Sequence, residues 1–180
     1  MQTELTFATE FTAEIIPASL GLNAIAYPKG VPYDGKEGLA VRISPRGAPT
    51  WVAVVAPSSL PVASGFQAIA ALPDGASVAV VNLGDGYVIN AKNAADWNRV
   101  PVRGITRTLV SVQDQMVVFA GLTDLAAYGP SGLQWATEHL SWDGLRELVI
   151  RDRTVSGDLW DAPGSEWKKF RLNLATGKPV

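Results

Sequence analysis

The feature that most constrains the fold of this chain is a succession of short apolar runs separated by turn residues. The segment 108–135 shows the pattern best. Its apolar runs lie at 109–112, 116–120, 123–128 and 133–135, with polar turns at 113–115 and 129–132. Runs of this length, bounded by Gly, Pro and Asp, predict β-hairpins. No segment keeps a helical period for three turns, so the sequence predicts at most one helical turn, at 93–97.

The length of 180 residues and the hydrophobic fraction of 47% suit one domain, or an array of small repeats, with a buried core. We therefore expect a single all-β domain over 1–180. Within it the sequence predicts an N-terminal strand at 1–16, a turn-rich β region at 17–65 and blade-like repeats at 66–180. Strand content should exceed about 40%, against the ~20–25% of an average globular protein.

The N-terminal segment alternates with a period of two. Leu5, Phe7, Phe11, Ala13 and Ile15 fall on one face, and acidic and threonine side chains fall on the other. This alternation predicts a half-buried strand. At roughly 3.3 Å per residue the run would span about 40 Å, which is longer than most strands. We therefore expect it to be bent, broken in two or shared with another part of the fold.

An internal repeat runs through the chain. Aspartates in predicted turns are spaced by 40, 40 and 38 residues, at Asp34, Asp74, Asp114 and Asp152. Trp97 and Trp135 lie 38 residues apart and follow the third strand of their units. A period near 40 with several short strands in each unit is typical of β-propeller blades.

Two short segments resemble known propeller repeats. The segment 127–135, AYGPSGLQW, resembles the aydpdGkelW segment of quinoprotein-type (PQQ-like) and WD40-like propeller repeats. The segment 172–180, LNLATGKPV, resembles their lDlaTGkpvW segment, with Asn173 in place of the usual aspartate. The resemblance implies a fold rather than a chemistry, because such motifs belong to the hairpins themselves.

The predicted fold class is thus an all-β, propeller-like array of four-stranded antiparallel units. Four such units would make a four-bladed propeller, a half-propeller completed by a second copy, or a fragment of a larger array. A β-sandwich is the alternative, since short strands at this spacing also suit two packed sheets.

Composition and charge exclude several classes of function. The formal net charge is −2, and the densest basic cluster, Lys168, Lys169 and Arg171, is interpreted as a solvated strand face. We therefore expect no nucleic-acid partner. The chain has no cysteine, which excludes disulfides and thiolate metal sites. The sequence predicts no signal peptide in this chain and no membrane helix, and its compartment stays unknown.

No catalytic residue, metal site or cofactor is predicted. On a strand, His139, Ser141 and Asp143 would stand about 6.6 Å apart with parallel side chains, whereas a catalytic triad must converge. The segment from Asp152 begins like a calcium loop, but its twelfth position is Pro163. An EF-hand is therefore rejected, and a weaker calcium site in the turn is left open.

The predicted ligand-binding residues are Trp142, Asp143, Trp160 and Asp161, because tryptophan beside a carboxylate can stack a sugar or clamp a peptide. A non-enzymatic, propeller-like binding or scaffold module is the main functional hypothesis. The alternative is a carbohydrate-active enzyme using carboxylates of 143–166, which requires two of them about 5–9 Å apart in a cleft. Those carboxylates are Asp143, Asp152, Asp158, Asp161 and Glu166.

Two further expectations concern packing and assembly. Trp135 and Trp167 each follow or open an apolar strand, so we expect both to be buried between sheets. An open edge strand exposes unpaired backbone groups that invite another chain. The sequence therefore predicts a homodimer through edge strands, and the alternative is a monomer in which the N-terminal strand closes its own sheet.

Overall fold

The computed structural model describes residues 2–17, 24–32, 38–56 and 65–180. It contains no helix within these residues, and more than half of the chain lies in strands. The prediction of an all-β fold with high strand content is confirmed. The strands are β1 (Gln2–Glu4), β2 (Phe11–Ile16), β3 (Ala24–Tyr27), β4 (Val31–Pro32), β5 (Leu39–Pro45), β6 (Trp51–Val55), β7 (Gln67–Ala71), β8 (Ser77–Asn82), β9 (Asp85–Asn90), β10 (Asn93–Arg99), β11 (Arg107–Ser111), β12 (Met116–Ala120), β13 (Leu125–Gly129), β14 (Gly132–Ala136), β15 (Leu145–Arg151), β16 (Thr154–Asp161) and β17 (Glu166–Asn173).

The strands of the described residues form four small sheets. The first sheet has the order β2-β5-β6-β3-β4 and the second the order β1-β7-β8-β9-β10. The third sheet is β11-β12-β13-β14 and the fourth is β15-β16-β17. All neighbours are antiparallel except the pairs β3–β6 and β1–β7. Antiparallel hairpins dominate because short turns join most consecutive strands.

Three apolar cores lie between consecutive sheets. The first core joins the first and second sheets, the second core joins the second and third, and the third core joins the third and fourth. The two middle sheets therefore bury both faces, and every residue of β8, β12 and β13 is buried. Most residues of β15 and β17 are exposed, which shows that the fourth sheet packs against another sheet on only one of its faces. Its other face, called the outer face below, is open to solvent within the described part of the chain.

The N-terminal segment is broken in two, one of the three arrangements expected for it. β1 runs parallel to β7 in the second sheet, and β2 runs antiparallel to β5 in the first. Phe7 joins the second core, whereas Phe11 and Ala13 join the first. One alternating pattern thus supplies two different cores.

Three of the four repeated aspartates occupy corresponding turns. Asp74, Asp114 and Asp152 each lie in the turn between the first two strands of a hairpin series, β7–β8, β11–β12 and β15–β16. Asp74 accepts hydrogen bonds from the N–H groups of Ala76 and Ser77 at 2.9 Å each. Asp34 lies outside the described residues.

The two repeated tryptophans do not pack alike. Trp97 contacts the first core, edge-on to Tyr27 and Tyr87. Trp135 belongs to the third core, on the opposite side of its sheet. The sheets have five, five, four and three strands, so the predicted four-stranded unit describes the third sheet only.

Candidate functional site on the fourth sheet

The structure brings the two predicted Trp–Asp pairs to the same end of the fourth sheet. Trp142 and Asp143 precede β15 and are exposed, and Trp160 and Asp161 end β16. The Trp142 N–H donates to the Trp160 carbonyl at 3.1 Å, and the Trp160 N–H donates to the Gly144 carbonyl at 3.2 Å. The two pairs are 18 positions apart in the chain, and the sequence did not predict that they meet.

Ser141 holds this junction together. Ser141 is 1% exposed, and its Oγ accepts a hydrogen bond from the Trp160 N–H at 2.9 Å. The same Oγ lies 2.6 Å from the Gly144 carbonyl and 3.1 Å from the Trp160 carbonyl. The His139 ring instead meets the Trp142 ring edge-on, with centroids 5.4 Å apart. The Ser141 hydroxyl is therefore a structural group that is already bonded to backbone.

An aromatic and cationic cluster covers this end of the outer face. Trp160 and Trp167 are cross-strand partners, and their ring centroids lie 5.4 Å apart at an interplanar angle of 63°. The guanidinium carbon of Arg146 lies 4.0 Å from the centroid of the Trp167 ring. A cation over an indole face is attracted by the ring quadrupole, so Arg146 and Trp167 order each other.

The expectation that Trp167 is buried is wrong, because 36% of it is exposed. Phe170 and Leu172 use the buried face of β17, and alternation places Trp167, Lys169 and Arg171 on the outer face. The same expectation is confirmed for Trp135, which is 9% exposed. Its Nε1–H donates to the Leu174 carbonyl at 2.8 Å.

The outer face carries an excess of positive charge. Four basic side chains lie on it, Arg146, Arg151, Lys169 and Arg171, with the carboxylate of Asp158 between them. Asp158 is buried beneath Lys169, whose Nζ is 2.6 Å from Oδ1, and Arg146, whose Nε is 3.3 Å from Oδ2. The Lys169 hydrogen bond, aided by Arg146, holds the pKa of Asp158 below its ordinary value despite burial. This local charge contrasts with the net −2 of the chain.

Of the carboxylates of 143–166, Asp161 and Glu166 are cross-strand partners at one hairpin end, and the other three lie apart from them. Asp161 pairs with Lys168, whose Nζ also lies 3.7 Å from a Glu166 oxygen, and this pairing with Asp161 raises the pKa of Lys168. The lysine stands between the two carboxylates at the exposed β16–β17 hairpin end. Asp152 lies in a turn, and Asp158 is on the outer face. None of the five lines either of the two grooves described next.

A groove of about 640 Å³ lies between the second and third sheets. The amides of Asn90 and Asn98 and the carboxylate of Asp96 line it on one side, and the turn 130–133 lines it on the other. Tyr128 also lines the groove, and burial raises the pKa of its phenol to about 12. Asp96 already accepts a hydrogen bond from Asn90 at 3.2 Å. A smaller groove of about 370 Å³ lies beside Asp114 and Arg153.

Asp124 stands apart from these surfaces, between β12 and β13. Its Oδ1 is buried and has no hydrogen-bond partner among the described residues. Burial raises the pKa of this carboxyl, and the charges of His139 and Arg103 oppose the rise. The site is close-packed, since a Cβ added to Gly121 would lie 2.5 Å from that oxygen.

The described residues lack two further features. They contain no group of three or more His, Asp or Glu side chains placed to hold a metal ion. They also contain no helix long and apolar enough to cross a membrane.

Comparisons with known proteins place the chain in no family. No family model matches it, and no curated protein matches it. Among solved structures it is similar to the crystal structure of the N-terminal domain of Nup159, with a TM-score of 0.39 and 12% sequence identity. The match covers 99% of this chain and 52% of that chain, so the present chain spans about half the length of its structural neighbour. The class that the fold itself defines is an all-β protein built from several small sheets.

Proposed function

We propose that the chain is a non-enzymatic binding module and that the outer face of its fourth sheet is the binding surface. The observation that carries this proposal is the exposed Trp167 with Arg146 stacked on it, inside a basic sheet face that no described element covers. Aromatic and arginine side chains are enriched in the energetically dominant parts of protein interfaces.

The chemistry of this face favours an acidic protein segment over a sugar. A sugar stacks on a flat, accessible indole face, but Arg146 already covers a face of Trp167. Trp160 meets Trp167 at 63°, so the two rings do not form a flat platform. The surrounding Arg151, Lys169 and Arg171 attract carboxylates and steer an acidic partner toward the face.

We also propose that the four sheets are arranged as blades of a propeller-like array. Two observations support this arrangement. Consecutive sheets pack face to face in chain order, and the turn aspartates Asp74, Asp114 and Asp152 recur at matching positions. The outer face of the fourth sheet, which no described sheet covers, stays accessible in such an array, and the proposed binding surface lies there.

Polyglutamate is a suitable probe for the binding surface. Titration into the full chain should change tryptophan fluorescence, and calorimetry should show salt-sensitive binding, because exposed charges are screened by salt. Trp167→Ala should weaken this binding strongly. The matched control is Leu133→Ala, which truncates an exposed apolar side chain on the third sheet. Absence of binding, or equal loss in both variants, would overturn the proposal.

An assay of glycoside hydrolysis distinguishes the enzyme alternative from the binding module. We expect no hydrolysis of a panel of aryl glycosides by the wild-type chain, because Lys168 separates Asp161 from Glu166 at an exposed turn. Hydrolysis that is abolished by Asp161→Asn and by Glu166→Gln would replace the binding proposal with a carbohydrate-active enzyme.

A further inference from the structure

The fourth sheet has three strands, and the outer edge of β17 is open over its first half. Within the described residues, β17 pairs with β16 on one side, and its other side meets only the bridge between Leu172 and Pro179. An open edge presents a row of N–H and C=O groups that can pair with another strand.

The direction of these groups follows from the way the last residues pair with β17. Asn173 donates its N–H to Lys178 at 2.8 Å and accepts from Gly177 at 2.8 Å, and the Arg171 carbonyl accepts from Val180 at 3.1 Å. Peptide groups of alternate residues point to the same side of a strand. The N–H and C=O groups of Lys169 and Trp167 therefore also point to the open edge.

On the outer face, the side chains beside this edge are basic and aromatic. Lys169 and Arg171 flank it there together with Trp167, and Lys168 and Glu166 flank it on the other face. Lys169 has 83% of its side chain exposed. Two copies of β17 paired edge to edge would place like charges opposite each other, which is destabilising. We therefore expect the edge of β17 to disfavour a second copy of β17 and to favour a strand that carries carboxylates.

We propose that β17 binds an extended acidic segment of a partner protein as the fourth strand of this sheet. The partner strand runs antiparallel to β17. It places carboxylates at alternate positions on the outer face, opposite Trp167 and Lys169, so that they lie beside Lys169 and Arg171. This mode of binding takes its affinity from main-chain hydrogen bonds and its specificity from alternate side chains. The inference rests on the proposed function and adds to it the conformation and the chemistry of the partner.

The test uses a strand-length peptide that alternates glutamate and valine, together with two isomers of the same charge. One isomer carries methyl groups on the glutamate nitrogens and the other on the valine nitrogens. In an antiparallel pair, residues that face each other exchange both hydrogen bonds and share a face. Glutamates opposite Trp167 and Lys169 therefore direct their N–H groups at β17, and valines direct theirs away.

We expect methylation of the glutamates to weaken binding by more than about tenfold, because the hydrogen bonds to the Trp167 and Lys169 carbonyls are both lost. Methylation of the valines should leave binding nearly unchanged. In hydrogen exchange, the unmethylated peptide should slow exchange of the amides at 167 and 169. Equal binding of the two isomers, or no binding of the unmethylated peptide, would overturn strand addition. Polyglutamate binding in either case would leave the proposed function standing.

A pair of matched arginines locates the bound strand. Arg171 lies on β17, and Arg151 lies on the same face but on β15, two strands or roughly 10 Å away. Arg171→Glu should weaken the unmethylated peptide on the order of tenfold through slower association. Arg151→Glu should change it by no more than about twofold, since the intervening distance exceeds the screening length of ~8 Å. Equal effects would place the peptide across the face and overturn addition at the edge.

Discussion

Gly177→Ala is a sharp test of the junction between the third and fourth sheets. Gly177 follows β17 in the turn that packs on Trp135, and its φ is +67°. A Cβ at this position would lie 2.6 Å from Trp135 Cδ2 and 2.7 Å from Cε3. The ring cannot easily move aside, because it is buried and its Nε1–H is bonded to the Leu174 carbonyl.

Two costs therefore combine at this position. The left-handed backbone conformation costs a residue with a Cβ roughly 1–2 kcal/mol. Forcing an extra methyl against a packed ring costs typically 1–3 kcal/mol more. We expect Gly177→Ala to lower the free energy of unfolding by about 2–5 kcal/mol in total, measured by urea denaturation.

Gly132→Ala is the matched control. Gly132 has φ +85° in the β13–β14 turn, but a Cβ there would meet nothing within 4 Å. It should therefore show the backbone cost alone, about 1–2 kcal/mol. The difference between the two variants measures the contact with Trp135. If the two variants have equal stability, the turn does not pack on Trp135 and the reasoning is refuted.

Four further predictions concern buried groups and assembly. Trp135→Ala should cost about 3–5 kcal/mol in denaturant melts, and a cost near zero would contradict its place in the core. Ser141→Ala should cost about 1–3 kcal/mol because backbone groups of the junction lose their partner, and an unchanged melt would contradict that role. Asp124 has a folded-state pKa above its unfolded value, so its ionisation removes stability as pH rises through that interval. Asp124→Asn should therefore stabilise the protein at neutral pH and lose this advantage in acid, and a gain that is independent of pH would refute the assignment. We expect a dimer joined by edge strands other than β17, because two copies of β17 would place like charges opposite each other. Light scattering should give the mass of a dimer, and a monomeric mass at every accessible concentration would contradict this.

The sequence predicts the position of a strand where an apolar run is bounded by turn residues. The predicted run at 116–120 coincides with β12, and the run at 133–135 lies within β14. Such runs are recognisable because local hydrogen bonding and turn chemistry act over a few residues. The predicted helical turn at 93–97 is wrong, since Asn93–Arg99 is a strand that pairs with β9 across a register shift. Pairing with a neighbouring strand overrides the weak local preference of these residues.

The candidate site was only partly predictable. The sequence identified Trp142, Asp143, Trp160 and Asp161, but not that Ser141 joins them. It also missed Arg146 and the exposure of Trp167. A signal for the latter exists, because Trp167 alternates in phase with Lys169 and Arg171.

By itself the sequence determined the class of the fold, most of its hairpins and their turns, because these depend on short-range alternation and on the residues that allow reversal. Only the tertiary structure decided which face of each hairpin is buried, since a face becomes a core when another sheet covers it. β8 and β17 show the difference. β8 is buried on both faces between two sheets, whereas β17 has one neighbouring sheet and leaves Trp167, Lys169 and Arg171 in solvent.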